Sequence, residues 1–396
     1  MEKSAYKIHI IGAGISGLIA AQILENHGYH PTIIEASATV GGRVKSDLVD
    51  GYTLDHGFQV LLTSYPAAKK YLDYKALDLQ KLLPGATIFK HGKAQTIGDP
   101  LRNISLLFST LRSSIGTFSD KLKILKLNTL LKKKKIALIF KTEEKTTLQY
   151  LKDFGFSNDI IKDFFTPFFS GIFLETELET SSRMFEFVYK MFGDGLAVIP
   201  KNGMQAIPNQ LKNNLKKTTF KFNSLVKEVK DKHIILEDGH TLHSHITIIA
   251  TDASPLISNL KNQETQWKSC DTLYFQTEKS VINKPLIGLL ADEDALINNI
   301  FYHTSVATLN KKSKGLLSVT VIKNHQLEEN AFIKKVVAEL YSKCAIKDVT
   351  FLRRYQIKKA LPMLTNLQYE ISSTETKLKS TIFLAGDQLL NGSLNA

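Results

Sequence analysis

The stretch Tyr6-Lys-Ile-His-Ile-Ile-Gly12-Ala13-Gly14-Ile15-Ser16-Gly17 joins a short apolar run to a glycine turn, and Leu18 to His27 continue with apolar residues at helical spacing. The order is strand, turn, helix. Gly12 permits a tight reversal, Gly14 lets backbone approach a pyrophosphate, and Gly17 with Ala21 lets the helix pack closely on the strand. A helix that begins there offers free N–H groups and a partial positive charge to phosphate oxygens. A second strand, Pro31-Thr-Ile-Ile-Glu35, ends in an acid 23 positions after Gly12. That carboxylate can accept both hydroxyls of a ribose and repels a 2′-phosphate, so the pattern predicts an unphosphorylated adenosine dinucleotide.

Directly after the acid comes Ser37-Ala-Thr-Val-Gly41-Gly42-Arg43. With the glycine turn, this segment resembles the glutathione-reductase-type FAD-binding fold, and within it the flavin amine oxidase and phytoene desaturase superfamily. The resemblance implies that Gly42 and Arg43 hold the pyrophosphate, with Ala36 beside Glu35; a planar guanidinium suits a diphosphate bidentately. Gly51-Tyr-Thr-Leu-Asp-His-Gly-Phe-Gln-Val60 resembles the family strand beneath the flavin ring, making Gly57, Phe58 and Gln59 candidates. His56 in that strand is read as a packed or hydrogen-bonded histidine. Val226 matches a position whose backbone contacts adenine, and Ile246 to Thr251 matches the strand that returns beside the cofactor. Near the end, Ser380-Thr-Ile-Phe-Leu-Ala-Gly386-Asp387 is a strand ending in Gly-Asp, whose acid the resemblance assigns to the ribityl or pyrophosphate end. Ser393 and Leu394 then fall in the first turn of a long flavin-covering helix, which the chain as read is expected to lack because it reaches Ala396 there.

These matches run from residue 7 to 396 and imply an α/β fold. A Rossmann-like FAD-binding domain with a parallel central sheet (1–75, 200–265 and 358–396) is expected to interleave with an α+β substrate domain of mixed sheet plus helices (76–199 and 266–357). Glu237-Asp-Gly-His240 predicts a hairpin turn, and Glu328 to Lys343 a helix. Phe164-Phe-Thr-Pro-Phe-Phe-Ser-Gly-Ile-Phe-Leu174 is an aromatic cluster that Pro167 and Gly171 are expected to break. It is either a pocket wall or plain core.

Three departures bear on chemistry. Leu389 stands where amine-oxidising members place an aromatic residue beside the flavin. Cys344 lies 42 residues before Gly386, too far for the family's covalent attachment, so FAD is expected to bind non-covalently. No second glycine fingerprint provides for NAD(P)H. The expected activity is hydride removal from a CH–CH or CH–NH bond by FAD. Two alternatives stay open: a carotenoid-type isomerase without net redox, and a non-catalytic flavin- or lipid-binding protein. Gln59 and Lys359 are the polar candidates for a catalytic role; for Lys359 the alternative is a solvated surface lysine.

Composition narrows the partners. The chain has 396 residues, 43% hydrophobic and 22% charged, as expected of an ordered globular protein of two lobes. Its 51 basic and 38 acidic side chains give a net charge of +13. Between Leu101 and Lys141 ten basic residues meet one acid, Asp120, so +9 of that charge is local. No recognition module accompanies it, which argues against nucleic acid. A positive field disfavours cationic amines and suits a small lipophilic or anionic substrate. Within 104–140 lysines alternate with leucine, isoleucine and phenylalanine, and apolar positions 122, 124, 125, 127, 130 and 131 cluster at helical spacing. Such a helix either lies on an anionic membrane or packs on its own protein with a solvated basic face.

Cys270 and Cys344, 74 positions apart without metal-ligand spacing, read as buried thiols of a reducing compartment, and no metal is expected. The N-terminus enters a strand by Lys7 and leaves no room for a cleavable signal, so a cytoplasmic location is the expectation; the membrane reading of the 104–140 segment would place the protein peripherally on the inner face of a membrane. Oligomeric state is not encoded in any motif here.

Overall fold

In the computed structural model, which describes residues 2–100, 102–260, 264–307 and 314–396, the opening stretch forms the strand Ile8–Ile11, the helix Ile15–Asn26 and the strand Thr32–Ile34. Ile8–Ile11 is the central strand of a five-stranded parallel sheet, between Thr32–Ile34 and Ile246–Ile249, with Thr219–Lys221 and Ile382–Leu384 at the edges. A parallel strand covered on both faces has no wet side, which is why Ile8 to Ile11 is a near-continuous apolar run. Gly17 shows why the helix needs glycine at that point: a Cβ there would lie 2.1 Å from the Gly12 carbonyl oxygen.

A second, seven-stranded mixed sheet has the order Val349–Pro362, Trp267–Thr277, Gly315–Val321, Ile297–Tyr302, Ile287–Leu290, Gly85–Lys90, Lys93–Gly98. One face packs Leu273, Phe275, Leu317 and Val319 against Phe332, Val336 and Leu340 of the helix Glu329–Cys344. The fold is therefore α/β, with a parallel and a mixed sheet as the two largest among the described residues. Strands of the parallel sheet come from widely separated stretches of chain, and Val349–Pro362 carries the mixed sheet toward it. The turn at 237–240 joins His233–Leu236 to Thr241–His243, with the Leu236 N–H donating to the His240 carbonyl at 2.9 Å.

The region expected to be broken by Pro167 and Gly171 is helical instead. A π-helical turn, Ile161–Phe165, runs straight into the helix Thr166–Phe173. Pro167 follows the π turn directly, standing where the hydrogen-bonding pattern changes from π-helical to α-helical. Gly171 packs under the mixed sheet, where a Cβ would meet Asn298 Nδ2 at 2.7 Å.

A second difference concerns Gly51–Val60. The strand Tyr52–Asp55 stops before the expected flavin-facing residues, since Gly57 takes a left-handed φ of +99° that cannot continue a ladder.

The basic segment, whose first residue Leu101 lies outside the described residues, folds as the turn Ile104–Leu106 and the helices Leu107–Arg112, Phe118–Lys133 and Ile136–Ile139. Thr117 and Asp120 form a reciprocal capping box that starts Phe118–Lys133. Burial raises the Asp120 pKa, but hydrogen bonds from Ser157 and Thr117 outweigh it and bring the carboxyl down to about 2. The six apolar positions of this helix do not share one environment. Leu127 and Leu131 are buried in a core with Phe165, Phe169, Phe185 and Phe187, whereas Leu122, Leu125 and Leu130 are exposed.

Candidate active site

Gly12, Gly14, Ile15, Ser16, Glu35 and Gly42 line one end of a cavity of about 1580 Å³. Its floor is made by two glycine loops. The Gly41 N–H donates to the Ala13 carbonyl at 2.9 Å, Gly14 and Gly41 form a parallel bridge, and Gly42 has φ +60°. A Cβ on Gly42 would reach to 3.3 Å from Gly14 Cα, so any side chain there would fill the cradle. No side chain caps the helix Ile15–Asn26, whose N-cap is Gly14, so its first N–H groups stay available to an anion. Glu35 is fixed at the cavity edge: its carboxylate accepts from Ala13 N at 2.7 Å, Ser37 N at 2.8 Å and Ser37 Oγ at 2.7 Å.

Arg43 and Gln59 adjoin this end. The guanidinium pairs with the Asp387 carboxylate, donates from Nη1 to the Ala360 carbonyl at 3.3 Å and lies 5.2 Å from the centre of the Trp267 ring. Gln59 Nε2 donates to the Arg43 carbonyl at 3.2 Å. Phe58, Gly386, Asp387, Ser393 and Leu394 line the same cavity. Thus residues from the two ends of the chain meet over the glycine floor.

Not every residue singled out in the sequence reaches the cavity. Ala13 is buried behind the turn, where its N–H holds Glu35, and Gly17 is consumed by the helix–strand contact. Ala36 is absent from the lining. Gly57 faces Ile357 instead, at 3.1 Å from a notional Cβ, and Val226 sits in a separate core with Ile11, Ile34 and Ile234. Lys359 is at the rim, with Nζ 3.1 Å from Asp252 and its side chain 61% exposed, so it faces solvent more than the interior. His56 is held away from the cavity, hydrogen-bonded to Asp47 at 2.9 Å and stacked on Tyr355. Leu389 does not line it either.

The far end is walled by Phe164, Phe168, Ile172, Tyr189 and Phe192. The aromatic cluster is therefore both things: Phe164 and Phe168 are wall, while Phe165 and Phe169 are core with no exposed surface. Three wall residues escaped the sequence reading. Trp267, the only tryptophan, has a buried Nε1 with no partner among the described residues. Lys268 donates to Glu175 at 2.6 Å, the Phe173 carbonyl at 3.0 Å and Thr180 Oγ1 at 3.3 Å. Asn299 enters from the mixed sheet. The unique tryptophan was a signal; the lysine and asparagine carried none.

The residues present fit a dinucleotide. The glycine cradle admits a pyrophosphate, a carboxylate stands ready for ribose hydroxyls, and Trp267, whose buried indole N–H has no partner among the described residues, lines the same cavity. The cavity also exceeds the roughly 300–1,000 Å³ of an ordinary small-molecule pocket, which leaves room for a second molecule.

Comparison with known proteins agrees. The family model described as flavin containing amine oxidoreductase matches residues 15–354. Mitochondrial protoporphyrinogen oxidase of Nicotiana tabacum is 27% identical over 168 residues, covering 42% of this chain and 32% of that protein. Hydroxysqualene dehydroxylase of Zymomonas mobilis subsp. mobilis is 46% identical over 66 residues, 16% of each chain. Matched stretches thus span a third or less of the length of these curated relatives. Among solved structures, an oxidoreductase from Methanosarcina mazei superposes with a TM-score of 0.74 at 17% identity, covering 96% of this chain and 94% of that one, which speaks to the fold alone. With the family model spanning most of the sequence and the glycine cradle, Glu35 and Arg43 gathered at one end of the cavity, the chain belongs to the flavin-containing amine oxidoreductase family, and its cofactor is a flavin.

Proposed function

We propose that the chain is an FAD-dependent oxidoreductase that removes a hydride from a lipophilic substrate at a CH–CH or CH–NH bond. The observation that carries this reading is the single cavity that runs from the glycine cradle to the wall of Phe164, Phe168, Tyr189 and Phe192. FAD is favoured over a flavin mononucleotide because Glu35, fixed for ribose hydroxyls, has no use with the smaller cofactor. Non-covalent binding is favoured because Cys270 and Cys344 are buried away from the cavity, burial pushing each thiol up to about 12.

When bound, FAD supplies the ring that accepts the electrons. The protein's residues then bind and orient: Gly12, Gly14, Gly42 and Arg43 at the pyrophosphate, Glu35 at the adenosine ribose, and Asp387 at the ribityl side. The aromatic wall holds an apolar substrate and excludes water, which strengthens every polar contact inside. In this reading 1–75, 200–265 and 358–396 are the flavin-binding unit, and 76–199 with 266–357 the substrate unit.

The test is spectroscopic. Purified protein titrated with FAD and with FMN should quench the fluorescence of FAD alone, and anaerobic addition of an isoprenoid or other lipophilic CH–CH or CH–NH donor should bleach the bound flavin. Failure to bind FAD would sink the cofactor assignment. Conversion of substrate only by pre-reduced flavin, with no net oxidation, would replace the oxidoreductase by an isomerase.

A further inference from the structure

We propose that the apolar, basic face around the mouth of this cavity docks on an anionic lipid bilayer, so that substrate enters from the lipid without crossing water. The proposal deepens the reading of a lipophilic substrate and rests on it. On the helix Phe118–Lys133, Leu127 and Leu131 point into the core, while Phe118 and Leu122 are 71% and 52% exposed. Earlier in the chain Ile104, Phe108 and Leu111, which share one face by helical spacing, are 73%, 71% and 59% exposed, and Leu111 lines the cavity together with Phe118 and Leu122. Large apolar side chains gathered on one face mark an interaction site; scattered single ones do not. Leu111, Phe118, Leu122 and Leu125 are also cavity-lining residues, so this part of the exposed apolar surface is the rim of the opening.

Charge selects the occupant. Among the described residues, Arg112, Lys132, Lys133 and Lys135 have no carboxylate partner, whereas Lys134 is paired inward with Glu186. Asp120, the one acid of the segment, is buried and bound by Thr117 and Ser157, so it offers no negative charge to the surface. A second copy of this chain would bring like charge to like charge. An anionic lipid surface brings the complement, and lysines beside exposed aromatic and aliphatic residues are the pattern of an interfacial helix. Among the described residues no helix is long and apolar enough to cross a membrane, so the association proposed is peripheral.

The experiment is co-sedimentation of the flavin-loaded protein with phosphatidylcholine vesicles, and with vesicles in which about 30% of the lipid is phosphatidylserine. Wild type should partition at least tenfold more onto the anionic vesicles. Lys132→Gln/Lys133→Gln/Lys135→Gln should remove that preference, and Ile104→Ser/Phe108→Ser should lower partition at least tenfold. Unchanged melting temperature and flavin absorbance would show both variants folded. Equal partition on the two vesicle types, no binding by wild type, or a wild-type dimer abolished by Ile104→Ser/Phe108→Ser would overturn the proposal. Partition needs no turnover, so its failure leaves the redox reading standing, and a failed bleaching assay with intact partition would count against the redox reading alone.

Discussion

Arg43 and Asp387, 344 positions apart, form an ion pair at the mouth of the glycine cradle. The loop after the second strand of the parallel sheet is thereby tied to the turn after its last strand, with Ala360 and Trp267 closing around the guanidinium. Arg43→Ala is expected to raise the FAD dissociation constant at least tenfold, since a charge-assisted hydrogen bond contributes about 1.5–3 kcal/mol. Arg43→Lys should restore only part of the loss, because an ammonium cannot reproduce the planar fork. Fluorescence titration measures both; an unchanged constant in Arg43→Ala would remove the arginine from the binding site.

Gly42 and Gly17 should separate binding from folding. A methyl group on Gly42 enters the cradle at 3.3 Å from Gly14 Cα at a φ of +60°, so Gly42→Ala is expected to lose flavin while costing only about 1–2 kcal/mol of stability. A methyl group on Gly17 collides with the Gly12 carbonyl at 2.1 Å and should force the helix off the sheet. Melting temperature with and without FAD distinguishes the two, and Gly42→Ala with full flavin content would contradict the cradle.

Neighbouring phenylalanines should behave oppositely. Phe169 has no exposed surface, and Phe169→Ala is expected to cost about 3–5 kcal/mol. Phe168 stacks on Phe164 and meets Phe192 at a tilt at the cavity wall, so Phe168→Ala should cost roughly half as much. It should instead shift preference toward bulkier substrates. Denaturant midpoints and a substrate-size series test this together; equal losses of stability and no change in preference would show that Phe168 is ordinary core.

Asp55 gives a pH dependence of definite sign. Burial pushes its carboxyl up to about 6, against hydrogen bonds from Ser46 Oγ at 2.5 Å and the Met204 N–H at 2.9 Å. The folded state therefore holds the proton more tightly than the unfolded chain, whose carboxyl titrates near 3.8. This contribution is full below the unfolded value and is lost as pH rises through 6. Subtracting the melting curves of Asp55→Asn from those of wild type should expose a decline across that window, of at most about 3 kcal/mol. Parallel pH profiles for the two proteins would refute it.

What could be read in advance and what could not follow from the range of the interactions involved. Gly12, Gly14, Glu35 and Arg43 were legible because each serves a backbone pattern confined to about forty residues of chain. Trp267 was not, since its place over Arg43 depends on pairing with Pro362, almost a hundred residues away. Helical spacing located the amphipathic helix but could not say that Leu127 goes inward and Leu122 outward; neighbours decide that, and they are tertiary. Gly57 was assigned with its neighbours Phe58 and Gln59, yet only those two face the cavity, because its left-handed conformation ends the alternation of the strand.

The π-helical turn at Ile161–Phe165 has a reach beyond its five residues. Its widened winding sets the rotational phase of everything after it, and that phase decides which rings of Phe164 to Phe169 look into the cavity and which into the core. A π turn is in effect a single inserted residue absorbed without breaking the helix. Deleting one residue there would rotate the following segment by about 100° and exchange wall rings for core rings while composition stays almost unchanged. The width of the substrate space is thus adjustable by length as well as by side-chain replacement, which offers related chains a route to new substrates through one-residue insertions and deletions.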